Sequence, residues 1–140
     1  MEKPTIICVD DETVILKSLQ IEMETAFADQ CIYEFAESGK EALEILDELA
    51  GDHLPIIVIV SDWLMPDMKG DDFLIKVHDK YPKVIKIMLT GQADQSAIEN
   101  AQRNANLYSC LSKPWQPEEL INILKRAMNN QSIDCLENNL

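Results

Sequence analysis

Two hydrophobic rhythms trade places along this chain, and the exchange happens five times. Short, nearly continuous apolar runs rich in Ile and Val stand near Thr5–Val9, Cys31–Glu37, Ile56–Ser61, Val84–Leu89 and Leu107–Leu111. Runs of this kind read as strands, and one without polar alternation, such as Ile56–Val60, as a strand covered on both faces. Between them, apolar positions recur at three- and four-residue steps, as amphipathic helices require. Leu16, Leu19, Met23 and Phe27 mark a helix from about Thr13 to Phe27, and Ala42, Leu43, Leu46 and Leu49 mark a second. Phe73, Leu74 and Val77 mark a third; Ala97, Ile98 and Ala101 mark a fourth, over about Asp94–Asn104. Ser38 and Glu41 have the spacing of a capping box ahead of the second helix. Pro117, a residue suited to the first helical position, opens a fifth helix that is expected to end near Met128. The polar, Asn-rich segment 129–140 reads as a tail or linker stub, which leaves one domain over residues 5–128.

Alternating strands and helices predict an α/β domain, doubly wound, with a parallel sheet and right-handed crossovers. Five strands suit the order 2-1-3-4-5, whose switch point lies between the first and third strands. A chain of 140 residues, 46% of them hydrophobic, is long enough to close one core. Its 12 basic against 25 acidic residues leave a net charge of −13. Such a field repels nucleic acid and anionic membrane and favours divalent cations, so no direct nucleic-acid or membrane partner is expected. No apolar run approaches the roughly 20 residues that span a bilayer. Met1–Thr5 leads into a strand without the apolar core of a signal peptide, and a cytoplasmic location is expected. Cys8, Cys31, Cys110 and Cys135 include no CxxC pair. The first three fall in predicted strands and read as buried structural thiols of a reducing compartment.

The candidate chemistry stands at the ends of the strands. Asp10 and Asp11 follow the first, Asp62 the third, Thr90 the fourth and Lys113 the fifth. Beyond the carboxyl ends of a parallel sheet, such residues converge on one crevice. Carboxylates there would hold a hard dication such as Mg²⁺, which takes oxygen ligands and keeps several waters. Asp62 is a plausible nucleophile, since carboxylates form acyl phosphates, with Lys113 and Thr90 meeting the phosphoryl oxygens. Taken singly, an Asp at a strand end is more often a helix cap and a Lys more often solvated; their joint placement reverses that.

Four segments, in order, resemble the receiver domain of two-component response regulators: Val9-Asp10-Asp11-Glu12, Asp62 through Gly70, Leu89-Thr90-Gly91, and Leu111-Ser112-Lys113-Pro114-Trp115. The resemblance covers about Thr5 to Met128 and implies a flavodoxin-like (βα)5 three-layer sandwich. It implies that Asp62 takes a phosphoryl group from a sensor histidine kinase or phosphotransfer protein and that the module then controls an effector domain or protein. Asp11 would hold Mg²⁺ (or Mn²⁺) directly, Asp10 largely through water, and the Leu64 backbone carbonyl would add a ligand. Thr90 would be the switch residue, Lys113 the partner of the phosphoryl group, and the Lys113–Pro114 bond cis. Where the family has Tyr or Phe, three residues before the lysine, this chain has Cys110; Tyr108, on the same face of the predicted strand, is a partial substitute. Leu64 and Gln92 would flank the approach of a hydrolysing water. Trp115 is expected to pack on the last helix, and His53 and His78 to be surface residues and not phosphodonors. Homodimerisation is common in the family.

Such a module would catalyse only its own phosphorylation and dephosphorylation, and would not be an enzyme toward an outside metabolite. An Mg-dependent aspartyl-phosphate phosphohydrolase is the alternative, but those enzymes carry a second acid two residues after the nucleophile, where this chain has Leu64. A flavodoxin-like electron carrier would need a Ser/Thr/Gly-rich phosphate loop after the first strand, and Asp10-Asp11-Glu12 would repel the flavin phosphate.

Overall fold

The structure, a computed structural model, describes residues 3–50, 56–91 and 95–138. Strands and helices alternate as β1 (Thr5–Val9), α1 (Thr13–Phe27), β2 (Ile32–Ala36), α2 (Gly39–Leu49), β3 (Ile57–Asp62), α3 (Gly70–Lys80), β4 (Ile85–Thr90), α4 (Gln95–Asn104), β5 (Ser109–Ser112) and α5 (Pro117–Asn138). The strands form one parallel sheet in the order β2-β1-β3-β4-β5, as the alternation predicts.

Because side chains alternate across a strand, each strand feeds two cores. Ile7, Val9, Ile57, Ile59 and Met88 face α2, α3 and α4, where Leu46, Phe73, Leu74, Val77 and Ile98 meet them. Ile6, Cys8, Val58, Val60, Ile87 and Leu89 face α1 and α5, packing on Leu16, Leu19, Met23, Phe27, Leu120 and Leu124. All four apolar positions expected on α1 are buried. The Ser38 hydroxyl accepts the Glu41 N–H at 3.1 Å and so caps α2.

Register decides where the strand-end residues go. Val9 pairs with Ser61, so Asp10 comes to lie beside Asp62. Asp62 pairs with Leu89, which puts Thr90 one step beyond it. Thr90 pairs with Ser112, and Lys113 follows directly.

Several expectations need correction. α5 does not stop near Met128 but continues to Asn138, since nothing after Pro117 in that stretch is a glycine or proline that would end it. β5 starts at Ser109, so Tyr108 precedes the strand. Cys110 is exposed, whereas Cys8 and Cys31 are buried as expected; β5, which carries Cys110, is an edge strand. His78 is half-buried, not a surface residue, and its Nδ1 is buried without a hydrogen-bond partner among the described residues. His53 lies outside the described residues.

Two local features depart from an apolar, relaxed scaffold. Lys86 of β4 is 1% exposed, and its ammonium donates to the Val84 carbonyl at 2.6 Å. Burial lowers its pKa to about 8. Ala28, which ends α1, takes φ 47°, a left-handed conformation that favours glycine. The Tyr33 hydroxyl braces that turn, donating to the Ala28 carbonyl at 2.8 Å.

Candidate functional site

The site sits in a cleft of about 590 Å³ at the carboxyl ends of the central strands, lined by Asp11, Glu12, Asp62, Leu64, Gly91 and Lys113 among others. Asp10, Asp11 and Asp62 each offer a carboxylate oxygen within 4.8 Å of the others. Asp10 and Asp62 are buried and Asp11 is exposed. The Lys113 ammonium stands between the two buried ones, donating to Asp10 Oδ2 and lying 3.0 Å from Asp62 Oδ1 as well. Asp10 Oδ1 accepts the Glu12 N–H at 2.9 Å, which fixes the turn out of β1.

Burial pushes the Asp62 carboxyl above the ordinary range; Lys113 pulls it back, and Asp10 adds to the rise. For Lys113, burial works against the charge, but hydrogen bonds to Asp62 and Asp10 outweigh it and leave the pKa raised. An ammonium and two buried carboxylates are thus held together in a half-closed space, where their fields are weakly screened.

The backbone around Asp62 is held from both sides. Trp63 N–H donates to the Leu89 carbonyl at 3.0 Å, and Gly70 N–H donates to the Trp63 carbonyl at 2.6 Å. Gly70 is required there: a Cβ would stand 2.3 Å from the Asp62 carbonyl oxygen. On the far side, Lys113 N–H donates to the Thr90 carbonyl at 2.6 Å, and the Lys113–Pro114 peptide bond is cis.

A family model described as the response regulator receiver domain matches residues 6–125. The chain belongs to that family. The receiver domain is 28% identical to the hydrogenase transcriptional regulatory protein HoxA of Cupriavidus necator over 94% of its own length, but spans only 26% of that protein. It is 31% identical to the transcriptional regulatory protein YdfI of Bacillus subtilis, covering 88% of this chain and 54% of the relative. Among solved structures, the signal receiver domain of an HD domain-containing protein from Pseudomonas fluorescens Pf-5 is similar with a TM-score of 0.83 and 30% identity, over 94% of this chain and 98% of the other. A CheY-like response regulator receiver domain protein from Methanospirillum hungatei has the same TM-score of 0.83 at 27% identity, over 95% and 99% of the two chains.

Not every residue singled out in the sequence reaches the cleft of this receiver domain. Thr90 is buried at the end of β4, 2% exposed, and Gly91 takes its place in the cleft wall. Leu64 stands at the rim, 64% exposed. Tyr108 and Cys110 are exposed on the β5 side, away from the lining of the cleft. Gln92 lies outside the described residues. Trp115 packs into the α1–α5 core, and its indole N–H donates to both carboxylate oxygens of Glu22 on α1, at 3.1 and 3.3 Å. It therefore ties the loop after Lys113 to α1 as well as to the last helix.

Sequence reasoning missed Asp71, a buried carboxylate in the first turn of α3 that joins Trp63 to Asn100 of α4. The signal was available. Asp71 shares the inward stripe with Leu74 and Val77 at helical spacing, so an acid occupies an apolar face. Lys86 gave the same signal inside the apolar run of β4.

Proposed function

We propose that this receiver domain accepts a phosphoryl group on Asp62 in a divalent-metal-dependent reaction and thereby switches the state of a signalling pathway. The observation that carries the proposal is the meeting of Asp10, Asp11 and Asp62, with oxygens within 4.8 Å, around an ammonium 3.0 Å from Asp62. The donors are all hard oxygens, and an exposed carboxylate beside two buried ones leaves a ligand position open to solvent, which fits Mg²⁺ or Mn²⁺. Asp10, Asp11, Asp62 and the Leu64 carbonyl would hold the ion. When bound, it neutralises the clustered carboxylates and the charge on the phosphoryl oxygens.

An Asp62 carboxylate oxygen attacks phosphorus, the P–N bond of a donor phosphohistidine breaks, and the imidazole leaves with the bonding pair. Lys113 already lies against one oxygen of Asp62 and meets the negative charge of the transferred group. The Thr90 hydroxyl, buried behind the cleft wall at Gly91, turns toward that group and reports its arrival. Tyr108 supplies at most a weak aromatic contribution to the switch, since Cys110 stands where the family has its ring. Hydrolysis of the acyl phosphate needs an in-line water; Leu64 at the rim offers it no hydrogen bond, which leaves that task to Gln92. The domain turns over no outside metabolite in this reading, and Leu64 where a phosphohydrolase places its second acid supports that. A sensor kinase or phosphotransfer protein is the donor, and an effector domain or protein the recipient of the signal. A homodimer is a further expectation, since a beryllofluoride-activated NtrC4 receiver domain, 27% identical, forms one.

The test is incubation with acetyl phosphate, with and without Mg²⁺, followed by intact-mass measurement. One base-labile phosphate should appear only with the metal. Asp62→Asn should slow uptake by far more than tenfold, a barrier change above about 1.4 kcal/mol. Uptake by Asp62→Asn at the normal rate would sink the proposal.

A further inference from the structure

The layer that covers one face of the sheet contains a polar chain that the phosphorylation chemistry does not use. Trp63, the residue directly after Asp62, donates its indole N–H to Asp71 Oδ1 at 3.2 Å. Asn100 of α4 donates its amide to the other oxygen, Asp71 Oδ2, at 2.9 Å. Asn104, one turn on, donates to Asn100 Oδ1 at 2.7 Å. Asp71 is 7% exposed and takes part in no ion pair among the described residues. Its place in the first turn of α3 lends it the favourable end of the helix dipole.

We infer that Asp71 is a positioning residue which couples the state of Asp62 to α4, by holding the Trp63 indole and the Asn100 amide on one carboxylate. This rests on the proposed phosphorylation of Asp62. Three features of the geometry carry it. Trp63 cannot move independently of the site: its N–H is bonded to β4 at Leu89, its carbonyl to Gly70, and Gly70 has no room for adjustment against Asp62. α4 packs on α3 and buries only Ala97, Ile98 and Ala101. Two of these three are alanines, which bury little area, so a charge-assisted hydrogen bond is a sizeable share of what fixes this helix. Finally, both oxygens of Asp71 are occupied, one by each side of the connection. A shift of Trp63 that lengthens its bond to Oδ1 leaves the carboxylate to reorient, and the bond to Asn100 changes with it.

The test compares wild type, Asn100→Ala and Asp71→Leu in two measurements on the whole chain. The first is phosphate uptake from acetyl phosphate with Mg²⁺. The second is amide hydrogen exchange of α4, with and without Mg²⁺ and beryllofluoride as the phosphoryl mimic. In the wild type, loading should change exchange in α4 by at least about fivefold. In both variants that response should fall below about twofold while phosphate uptake stays within about threefold of wild type. A merely structural role would alter α4 exchange equally in the loaded and unloaded states and leave the difference between them intact. That result, or an α4 in the wild type that ignores loading while Asp62 takes phosphate, overturns the inference and leaves the proposed function standing. A wild type that takes no phosphate on Asp62 overturns both. Asn100→Ala removes a half-buried amide and keeps the test open if Asp71→Leu fails to fold.

Discussion

The two helical layers that cover the sheet are built from different materials. On the α1–α5 side the buried groups are apolar or soft: Cys8 meets the Met23 sulfur at 3.9 Å, and Cys31 meets the Met128 sulfur at 4.0 Å. Burial pushes both thiols above their ordinary pKa, so they stay protonated and inert. On the α2–α3–α4 side the same sheet buries the Lys86 ammonium, the Asp71 carboxylate and the Nδ1 of His78. An apolar layer is close-packed, and its contacts have no preferred direction, so it resists rearrangement as a unit. A layer with buried hydrogen bonds has discrete arrangements, because each polar group must find a partner or bear the cost of having none. The first suits a stiff backing, the second an element that changes state.

The largest effect should come from the stiff side. Leu19 of α1 is fully buried, and Leu19→Ala should cost about 2–5 kcal/mol in chemical denaturation. Per folded molecule, it should leave phosphate uptake and the α4 response unchanged. If Leu19→Ala weakened that response as strongly as Asn100→Ala, the division of labour between the layers would not exist.

Lys86 sharpens the contrast from the other side. Its folded pKa, about 8, lies below the ordinary 10.5, so the folded state gives up the proton more readily than the unfolded state. Between those values the unfolded chain binds more protons, and wild-type stability rises with pH. Lys86→Met removes the penalty of the buried charge but also the bond to the Val84 carbonyl. The balance should be a gain of about 1–2 kcal/mol near pH 7. The gain should shrink as the pH is raised toward about 10, measured by denaturant unfolding at both pH values. A gain that is constant with pH would mean that packing, not charge, sets it.

The smallest effect concerns the turn beneath the stiff layer. Ala28→Gly relieves the left-handed backbone at φ 47°, at the cost of a looser unfolded chain. A net gain of about 0.5–1 kcal/mol should appear as a higher melting temperature. A lower melting temperature would show that the Tyr33 hydroxyl bond, rather than the absent strain, governs this turn.

The fold was legible because period carries it: runs of Ile and Val for β1, β3 and β4, and three- and four-residue steps for the helices. The cluster of Asp10, Asp11, Asp62 and Lys113 was legible for the same reason, since charged residues directly past strand ends have nowhere to go but the crevice. What failed depended on neighbours that sequence does not name. The exposure of Cys110 follows from the place of β5 at the sheet edge. That Asp71 faces inward follows from its spacing to Leu74 and Val77, but its partners, Trp63 and Asn100, are chosen by tertiary packing. Trp115 was expected on the last helix, and only the approach of α1 supplied Glu22. The end of α5 was misjudged because a polar segment is not by itself a helix breaker.

Asp10 and Lys113 meet across 103 positions of the chain. A slip of one residue in β5 would turn Lys113 to the opposite face and leave the carboxylates facing one another without a cation. A chain that has not yet added β5 is in the same condition, carrying every acid of the site and none of its counter-charge. Under the proposed function, competence to take phosphate would then also report that strands from both ends of the domain have found their register.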